Sequence, residues 1–563
     1  MDVDTMDSMT SSYFRGANQP PLLEETIGQR FDFIADRFGE RDALVVRHQG
    51  IHWTYAQFHR EAERFASGLL ALGVTTGDRV GIWAPNCHEW CLTQFATAKI
   101  GAILVCINPA YRVFELEYAL NKSGCKAIVT AERFKSSDYL GMLRSLAPEL
   151  ETCHPGELAA EKLPHLRSVV RMGADRTPGM INFPEVAAMG GETQLKRVGQ
   201  LGAGLSPEDV INIQFTSGTT GAPKGAALTH NNILNNANQV AAGMRLTEED
   251  RLCIPVPLYH CFGMVMGMLA CVSRGSAAVF PSDAFEPAAV LETVEAERCT
   301  ALHGVPTMFI AELEHPGFEG FDLSTLRTGI MAGAPCPVEV MRKVITLMHM
   351  SEVLIAYGQT ECSPVNHMTM ADDPLEKRVE TVGRPGPHLE VKLVGDDGRV
   401  VAIGEKGDIC TRGYAVMKGY WEDPERTAET IDTEGWLHSG DLGVMDEDGY
   451  VSIVGRLKDM IIRGGENVYP REIEEFLFTH PKIQDAQVIG VPDPKYGEEV
   501  CAWVRLKDGE TMSEDELRAY CAERIAYFKV PRYIRFVPEF PMTVTGKVQK
   551  FKMREIMREQ LGQ

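Results

Sequence analysis

From residue 54 the chain alternates between helical and extended hydrophobic patterns, and this alternation restricts its fold more than any other feature. The stretch TYAQFHREAERFASGLLALG opens with Thr54 and Gln57 in capping-box spacing. It places Phe58, Ala62, Phe65, Ala66 and Leu69 on one helical face and closes at Gly73. RVGIWA (79–84) then reads as a strand, followed by a helical stretch to about Ile100, strand-like AILVCI (102–107), another helical stretch, and KAIVT (126–130). The alternation resumes after residue 208 with VINIQF, RLCIPVP, SAAVF, TALHGV and VLIAYG, each followed by a turn or helical segment. Strands separated by helices predict a parallel sheet covered by those helices.

At 563 residues the chain exceeds one ordinary core, since single cores stop growing near ~250–300 residues. The predicted fold class is α/β. A large N-terminal domain of parallel-sheet α/β subdomains carries a small β-barrel-like subdomain, and a small α+β domain follows. The strand-and-turn composition LEVKLVGDDGRV, GDICTRG and GYVSIVG puts the β subdomain at about 388–454. EIEEFLFTH, AQVIGV, CAWVRL and DELRAYCAERI form the final helix-and-strand unit, with GRLKD (455–459) as the joint. The expected boundaries are a disordered tail at 1–20, an N-terminal domain at 21–457 and a C-terminal domain at 458–563.

A formal net charge of -22 argues against nucleic acid or an anionic membrane surface as the main partner. The 14 cysteines include no CxxC pair, and several, such as Cys106 in AILVCI and Cys271 in MLACVS, lie in apolar runs. Buried thiols in a reducing, cytoplasmic setting are expected. Cys87, His88 and Cys91 share one helix-like segment, where packing is the expected role rather than a metal cluster. The acidic start MDVDTMDSMTSS has neither the apolar core of a secretory signal nor the arginines of a transit peptide. The longest apolar run, CFGMVMGMLACVS (261–273), falls short of the ~20 residues of a spanning helix, so stable membrane insertion is not expected.

The segment TSGTTGAPKG (216–225) comes after VINIQF and is expected to lead toward a helix near His230. Its glycines let backbone N–H groups converge on an anion, while hydroxyls and Lys224 add donors and charge. Phosphate is the natural guest. The spacing matches neither a Walker A loop nor a dinucleotide G-x-G-x-x-G, because Gly218 and Gly221 lie three apart and Pro223 precedes the lysine.

TSGTTGAPKG, YGQTE (357–361), HSGD (438–441), GRLKDMIIRGGENVYPREIE (455–474) and TGK (545–547) occur in that order over nearly the whole chain. Together they resemble the adenylate-forming superfamily of acyl-CoA synthetases, luciferases and peptide-synthetase adenylation domains. INIQFTSGTTGAPKGA and NPAYRVFELEYAL are most similar to the medium-chain fatty-acyl-CoA synthetase branch. The resemblance implies an ATP-dependent ligase in which a carboxylate attacks the α-phosphorus of ATP, releasing pyrophosphate, and coenzyme A then displaces AMP. Thr216, Ser217, Gly218, Thr219, Thr220, Gly221 and Lys224 would cradle the β- and γ-phosphates. Glu361 would be the Mg2+ ligand, Thr360 would bond the α-phosphate, and Tyr357 and Gly358 would flank the adenine with Gly333, Ala334 and Pro335 of AGAP. Asp441 and Arg456 would hold the ribose. Lys547 would bridge the carboxylate and the α-phosphate as charge accumulates. Lys458 occupies the hinge position of a mobile C-terminal domain whose rotation would bring Gly464 and Gly465 to pantetheine.

The segment PLYHCFGMVMG (257–267) matches the part of the family beside the acyl group. His260 would gate or line the tunnel, with Phe262, Gly263, Met264 and Met331 as neighbours. A methionine-rich lining suits a flexible aliphatic chain, and no basic residue in the stretch suggests a second carboxylate on the substrate. The expected partners are therefore a fatty acid, ATP and CoA, with no nucleic acid and with room for a homodimer. Alternatives are a ligase for an aryl or short thioether acid, an adenylating enzyme serving a carrier protein, and a nonenzymatic nucleotide-binding regulator. No carrier module comes after Lys547, and every assignable motif position carries a competent residue, which disfavours the last two readings.

Overall fold

The computed structural model describes residues 11–216, 223–334, 336–463, 466–522, 524–543 and 547–561. The helix Tyr55–Ala71 begins as its sequence predicts. Thr54 accepts from the Gln57 backbone while the Gln57 side chain accepts from Thr54 N–H. Its face of Phe58, Ala62, Phe65, Ala66 and Leu69 is buried. This helix lies in a layer with Ile27–Phe38, His88–Ile100 and His230–Gly243, and one continuous apolar core joins that layer to two sheets.

The first sheet has eight strands, in the order 181–182, 168–171, 125–130, 79–83, 103–106, 210–216, 224–229 and 419–420. It is parallel from Ile181–Asn182 through Val210–Thr216, and its last two strands run antiparallel. The second has nine strands, with a parallel centre running from Asp42–Val46 through Ala277–Phe280, Arg251–Cys253, Ala301–Leu302 and Thr328–Ala332 to Glu352–Tyr357. All the strands anticipated between residues 79 and 357 therefore exist.

One further strand departs from the sequence expectation. Lys224–Thr229 pairs antiparallel with Val210–Thr216, with Thr216 opposite Lys224, so a strand intervenes between TSGTTGAPKG and the helix. The helix expected near His230 begins there, capped by Thr229.

The β subdomain is an antiparallel sheet of Leu389–Val394, Lys406–Gly413, Leu437–Met445 and Val451–Arg456. A fifth strand, Tyr13–Arg15, adds to its edge, with Tyr13 opposite Lys392. The expectation of a disordered tail across residues 1–20 is thus corrected for this segment. Phe14 packs into the apolar core below the sheet, and the Tyr13 hydroxyl donates to Glu390 at 2.5 Å. The final unit pairs Ile483–Asp493 with Gly497–Leu506, which in turn pairs in parallel with Tyr533–Phe536. It has its own apolar core.

Among the described residues no helix is long and apolar enough to cross a membrane. The apolar run at 261–273 instead forms a π-helical segment, Phe262–Leu269, continuing into Ala270–Arg274. Cys87 and Cys91 are buried free thiols. Because Phe14 is the apolar contact of the added edge strand, Phe14→Ala should destabilise the protein by about 2–3 kcal/mol. Thermal unfolding measured by circular dichroism would read this as a lowered Tm.

Candidate functional site

The ends of the parallel strands supply the site, as expected where loops leave the carboxyl edge of an open α/β sheet. Thr216 ends one strand, Ala332 leads into the turn containing Gly333 and Ala334, and Tyr357 ends another. Gly333 has a left-handed φ of 85°, and a Cβ there would lie 3.4 Å from Val305 Cγ1 and 3.5 Å from Lys547 Cε. At Gly358 a Cβ would stand 2.1 Å from the Pro364 carbonyl oxygen, so only glycine lets the chain turn from Tyr357 into YGQTE. Ser217, Gly218, Thr219, Thr220, Gly221, Pro335, Gly464 and Gly465 lie outside the described residues.

Thr360 and Glu361 form a single 3-10 turn after Gln359. Glu361 is buried, and one of its carboxylate oxygens accepts from the Tyr420 hydroxyl at 2.7 Å. The face of Tyr420 carries the Lys224 ammonium 4.9 Å from the ring centroid. Tyr420 reaches this position because Gly419–Tyr420 pairs with Lys224–Thr229, placing Tyr420 opposite Ala226. Sequence reasoning missed Tyr420. Its signal, GYW some 60 residues beyond YGQTE, carries no charge and no diagnostic spacing.

Asp441 and Arg456 face each other across adjacent strands. Asp441 is buried, accepting from Arg456 Nε at 2.8 Å on one oxygen and from the Tyr357 hydroxyl at 2.8 Å on the other. The ring of Tyr357 lies beside His367, with centroids 5.8 Å apart. The motifs separated as YGQTE, HSGD and GRLKD in sequence thus meet through direct contacts.

Lys547 closes the constellation. Its backbone N–H donates to Thr543 Oγ1 at 3.0 Å, and its carbonyl accepts from Thr543 N–H at 2.7 Å. The side chain lines a cavity with Val256, Pro257, His260, Phe262, Val305 and Gly333. Burial, then the charge of Arg456, lowers the Lys547 ammonium to about 8, against the opposing influence of Asp441 and Glu361. Burial, then the charge of Lys547, holds His260 to about 3, so the imidazole is neutral. His260 Nδ1 accepts from Phe262 N–H at 3.1 Å. Lys458 lies apart, in the exposed turn between Val451–Arg456 and Ile461–Arg463.

The expected tunnel neighbours divide. Phe262 faces the cavity, but Met264 turns into the core against Cys106 and Gln214, and Met331 belongs to a separate core cluster. Gly263 allows the chain to pass Pro257, since a Cβ would lie 2.4 Å from its carbonyl oxygen. Beneath Phe262 lies His303, unsuspected from sequence, with ring centroids 5.2 Å apart. Its Nε2 donates to the Met266 carbonyl at 2.9 Å and its Nδ1 accepts from Ile330 N–H at 3.2 Å, fastening the π-helical segment to the strand.

A buried carboxylate, a desolvated ammonium and a glycine-lined crevice fit a nucleotide triphosphate with its divalent cation. The family described as AMP-binding enzyme matches residues 31–421, and its C-terminal domain matches 472–547. The chain belongs to the AMP-binding enzymes. The Bacillus subtilis (strain 168) protein YngI is 52% identical over 535 residues, covering 95% of this chain and 97% of its own. The mitochondrial medium-chain acyl-CoA ligase ACSF2 of Bos taurus is 46% identical over 557 residues, covering 98% and 90%. Among solved structures, the anthranilate CoA ligase AuaEII in complex with anthranoyl-AMP superposes with a TM-score of 0.86 at 28% identity, covering 97% of this chain and 99% of that one. ATP-bound MatB from Rhodopseudomonas palustris gives 0.81 at 29%, covering 94% and 99%. The chain is an AMP-forming acid–CoA ligase that uses ATP, CoA and Mg2+.

The Tyr420 hydroxyl orients the Glu361 carboxylate without adding a charge beside it. Tyr420→Phe should therefore increase the Mg2+ concentration needed for half-maximal AMP formation by about 10-fold. A Mg2+ titration at saturating ATP and acid would measure it.

Proposed function

We propose that this ligase activates a medium-chain fatty acid, with Lys547 as the cation that bridges the acyl carboxylate and the α-phosphate. The observation that carries this reading is the cavity itself. Its lining brings the Lys547 side chain together with the apolar side chains of Val256, Phe262 and Val305. An acid bound with its carboxylate at Lys547 would set its first alkyl carbons against these apolar side chains. Among the described residues, the cavity lining includes no second cation to hold a dicarboxylic acid. The medium-chain naming of the ACSF2 relative supports the same substrate class.

In the adenylation step the acyl oxygen attacks the α-phosphorus and the bond to the pyrophosphate oxygen breaks. Negative charge accumulates on the α-phosphate oxygens. Lys547, buried in the crevice, would stand beside them, so its stabilisation would need no reorganisation at that moment. Thr360 donates to the α-phosphate, and Thr216 and Lys224 hold the outer phosphates with the loop between them. Asp441 would take the ribose hydroxyls while Arg456 fixes its carboxylate. Tyr357, Gly333 and Ala334 border the adenine. Mg2+ held by Glu361 supplies charge neutralisation to the phosphates. Neutral His260 contributes bulk and a hydrogen-bonding nitrogen at the cavity mouth without competing for the carboxylate.

The thioester step needs the Lys547 ammonium withdrawn and the CoA thiol admitted. Rotation about the turn at Lys458 accomplishes both, exchanging Lys547 for the segment around Gly464 and Gly465. The thiol sulfur then attacks the acyl carbon, its proton leaves to solvent, and AMP departs.

AMP release would be measured with aliphatic acids of graded length, aryl acids and short thioether acids, each with and without CoA. CoA-dependent turnover should peak at medium aliphatic chains; a peak at aryl or short acids would overturn the substrate assignment. The protonated form of Lys547 is required and is lost as pH rises through about 8. The kcat/KM for adenylation, which reports the free enzyme, should fall on the alkaline side of that value. Lys547→Arg should move the falling limb to higher pH, and Lys547→Ala should remove it while ATP still binds. An alkaline limb that persists in Lys547→Ala would exclude Lys547 as its source.

A further inference from the structure

Two clusters of metal-ligating side chains stand outside the active constellation: Asp32, His59 and Glu63, and Asp408, Cys410 and His438. The first is already neutralised, because the buried Lys99 ammonium contacts Asp32 and lies 3.3 Å from Glu63. Among the described residues the second has no such occupant. Among the described residues the only ion pair of Asp408 is with His438. Lys392, opposite Cys410 on the other neighbouring strand, directs its ammonium over the Trp436 ring at 4.3 Å.

The sheet register builds this second cluster. Asp408 and Cys410 are two residues apart on one strand and so share a face, and Cys410 lies directly opposite His438 on the next strand. Cys410 Sγ is 3.3 Å from His438 Nδ1, which is 3.1 Å from Asp408 Oδ2; the Sγ to Oδ2 distance is 3.8 Å. A tetrahedral zinc ion bound by sulfur at about 2.3 Å and by nitrogen and oxygen at about 2.0–2.1 Å requires ligand-to-ligand edges of about 3.3–3.6 Å. The observed triangle needs adjustments of a few tenths of an ångström. The remaining imidazole nitrogen, Nε2, lies 3.5 Å from Asp432 Oδ2, the outer carboxylate that usually orients a metal-bound histidine. The His438 side chain is 38% exposed, which leaves a solvent path for entry and for a water as fourth ligand.

We propose that Asp408, Cys410 and His438 form a binding site for one thiophilic divalent cation, Zn2+ by its donor set. On binding, the Cys410 thiol proton passes to solvent and its sulfur bonds the metal. His438 binds as the neutral imidazole through Nδ1, with its Nε2–H directed to Asp432. The hard Mg2+ used in adenylation is not a competitor, since it favours an all-oxygen shell. The site also touches the nucleotide machinery. The other oxygen of Asp408 accepts from Gly440 N–H at 2.9 Å and from the Ser439 hydroxyl at 3.4 Å, immediately before Asp441. A cation on Asp408 is therefore felt by the loop that presents Asp441.

Co2+ serves as the spectroscopic probe, added to the full-length enzyme in metal-free buffer. One equivalent should produce a near-ultraviolet sulfur-to-cobalt charge-transfer band that Zn2+ bleaches and excess Mg2+ does not. Cys410→Ser should abolish the band, and His438→Asn should weaken Co2+ binding by at least about 10-fold. Circular dichroism of both variants would establish that they are folded, and Glu361→Gln should retain the band. Absence of the band in the wild type, or its survival in folded Cys410→Ser, would overturn the proposal.

Discussion

A helix inside the helical layer, His88–Ile100, with no solvent face on which to place charge, is the constraint around which the rest is arranged. In His88–Ile100 every residue from Trp90 to Ile100 is buried, because Tyr55–Ala71, Ile27–Phe38 and Glu192–Gly202 pack on it and it lies against strands of the first sheet. Lys99 sits in that segment, and an unpaired ammonium there would carry a large desolvation cost. Asp32 and Glu63, from two other helices of the layer, meet it. With the layer shared, loops from the two parallel sheets open toward one crevice. The contact from Tyr420 on one sheet to Glu361 beyond the end of a strand on the other is the direct sign of this.

The crevice is electrostatically prepared for a polyanion. Lys547 and Arg456 bring two positive charges together, and the guanidinium disfavours the protonated form of the lysine. Asp441 and Glu361 offset that repulsion but are themselves engaged, the first by Arg456 and Tyr357, the second by Tyr420. A triphosphate bound here would relieve the mutual repulsion of the cations, so that substrate binding and preorganisation for the developing charge would be one effect. The hydrogen-bonded partners of Asp441 and Glu361 hold both carboxylates in orientation before any ligand arrives.

Much of this is legible in the residues. Thr54 with Gln57 predicts a helix start that the structure contains, and the apolar positions of that helix are the buried ones. Eight parallel-strand segments from 79 to 357 are likewise readable, because a fully buried strand is a short continuous apolar run, whereas Ser168–Arg171, Ile181–Asn182 and Thr328–Ala332 are not anticipated. The differences share a cause. Lys224–Thr229 merges with the approach to His230 in the sequence pattern, because glycine and proline in the preceding loop signal a turn without specifying whether a strand or a helix comes next. Tyr13–Arg15 has too few residues for any period to register, and only its pairing with Leu389–Val394 makes it a strand. Met331 and Met264 are chemically suited to an acyl tunnel, yet a residue's suitability says nothing about which side of its backbone faces the cavity.

The sequence by itself determined the local structure and the chemical inventory: caps, helical faces, strand runs, and the carboxylates, lysines and glycines whose ordered motifs carry the family resemblance. These depend on neighbours within a few residues, where backbone geometry is nearly settled by residue type. Tertiary structure alone decided that Tyr420 would orient Glu361, that His303 would brace Phe262, that Lys547 would lie against Gly333, and that Cys410 would face His438. Each of these depends on strand register or on packing between segments distant in the chain, and neither residue type nor spacing along the sequence records those distances.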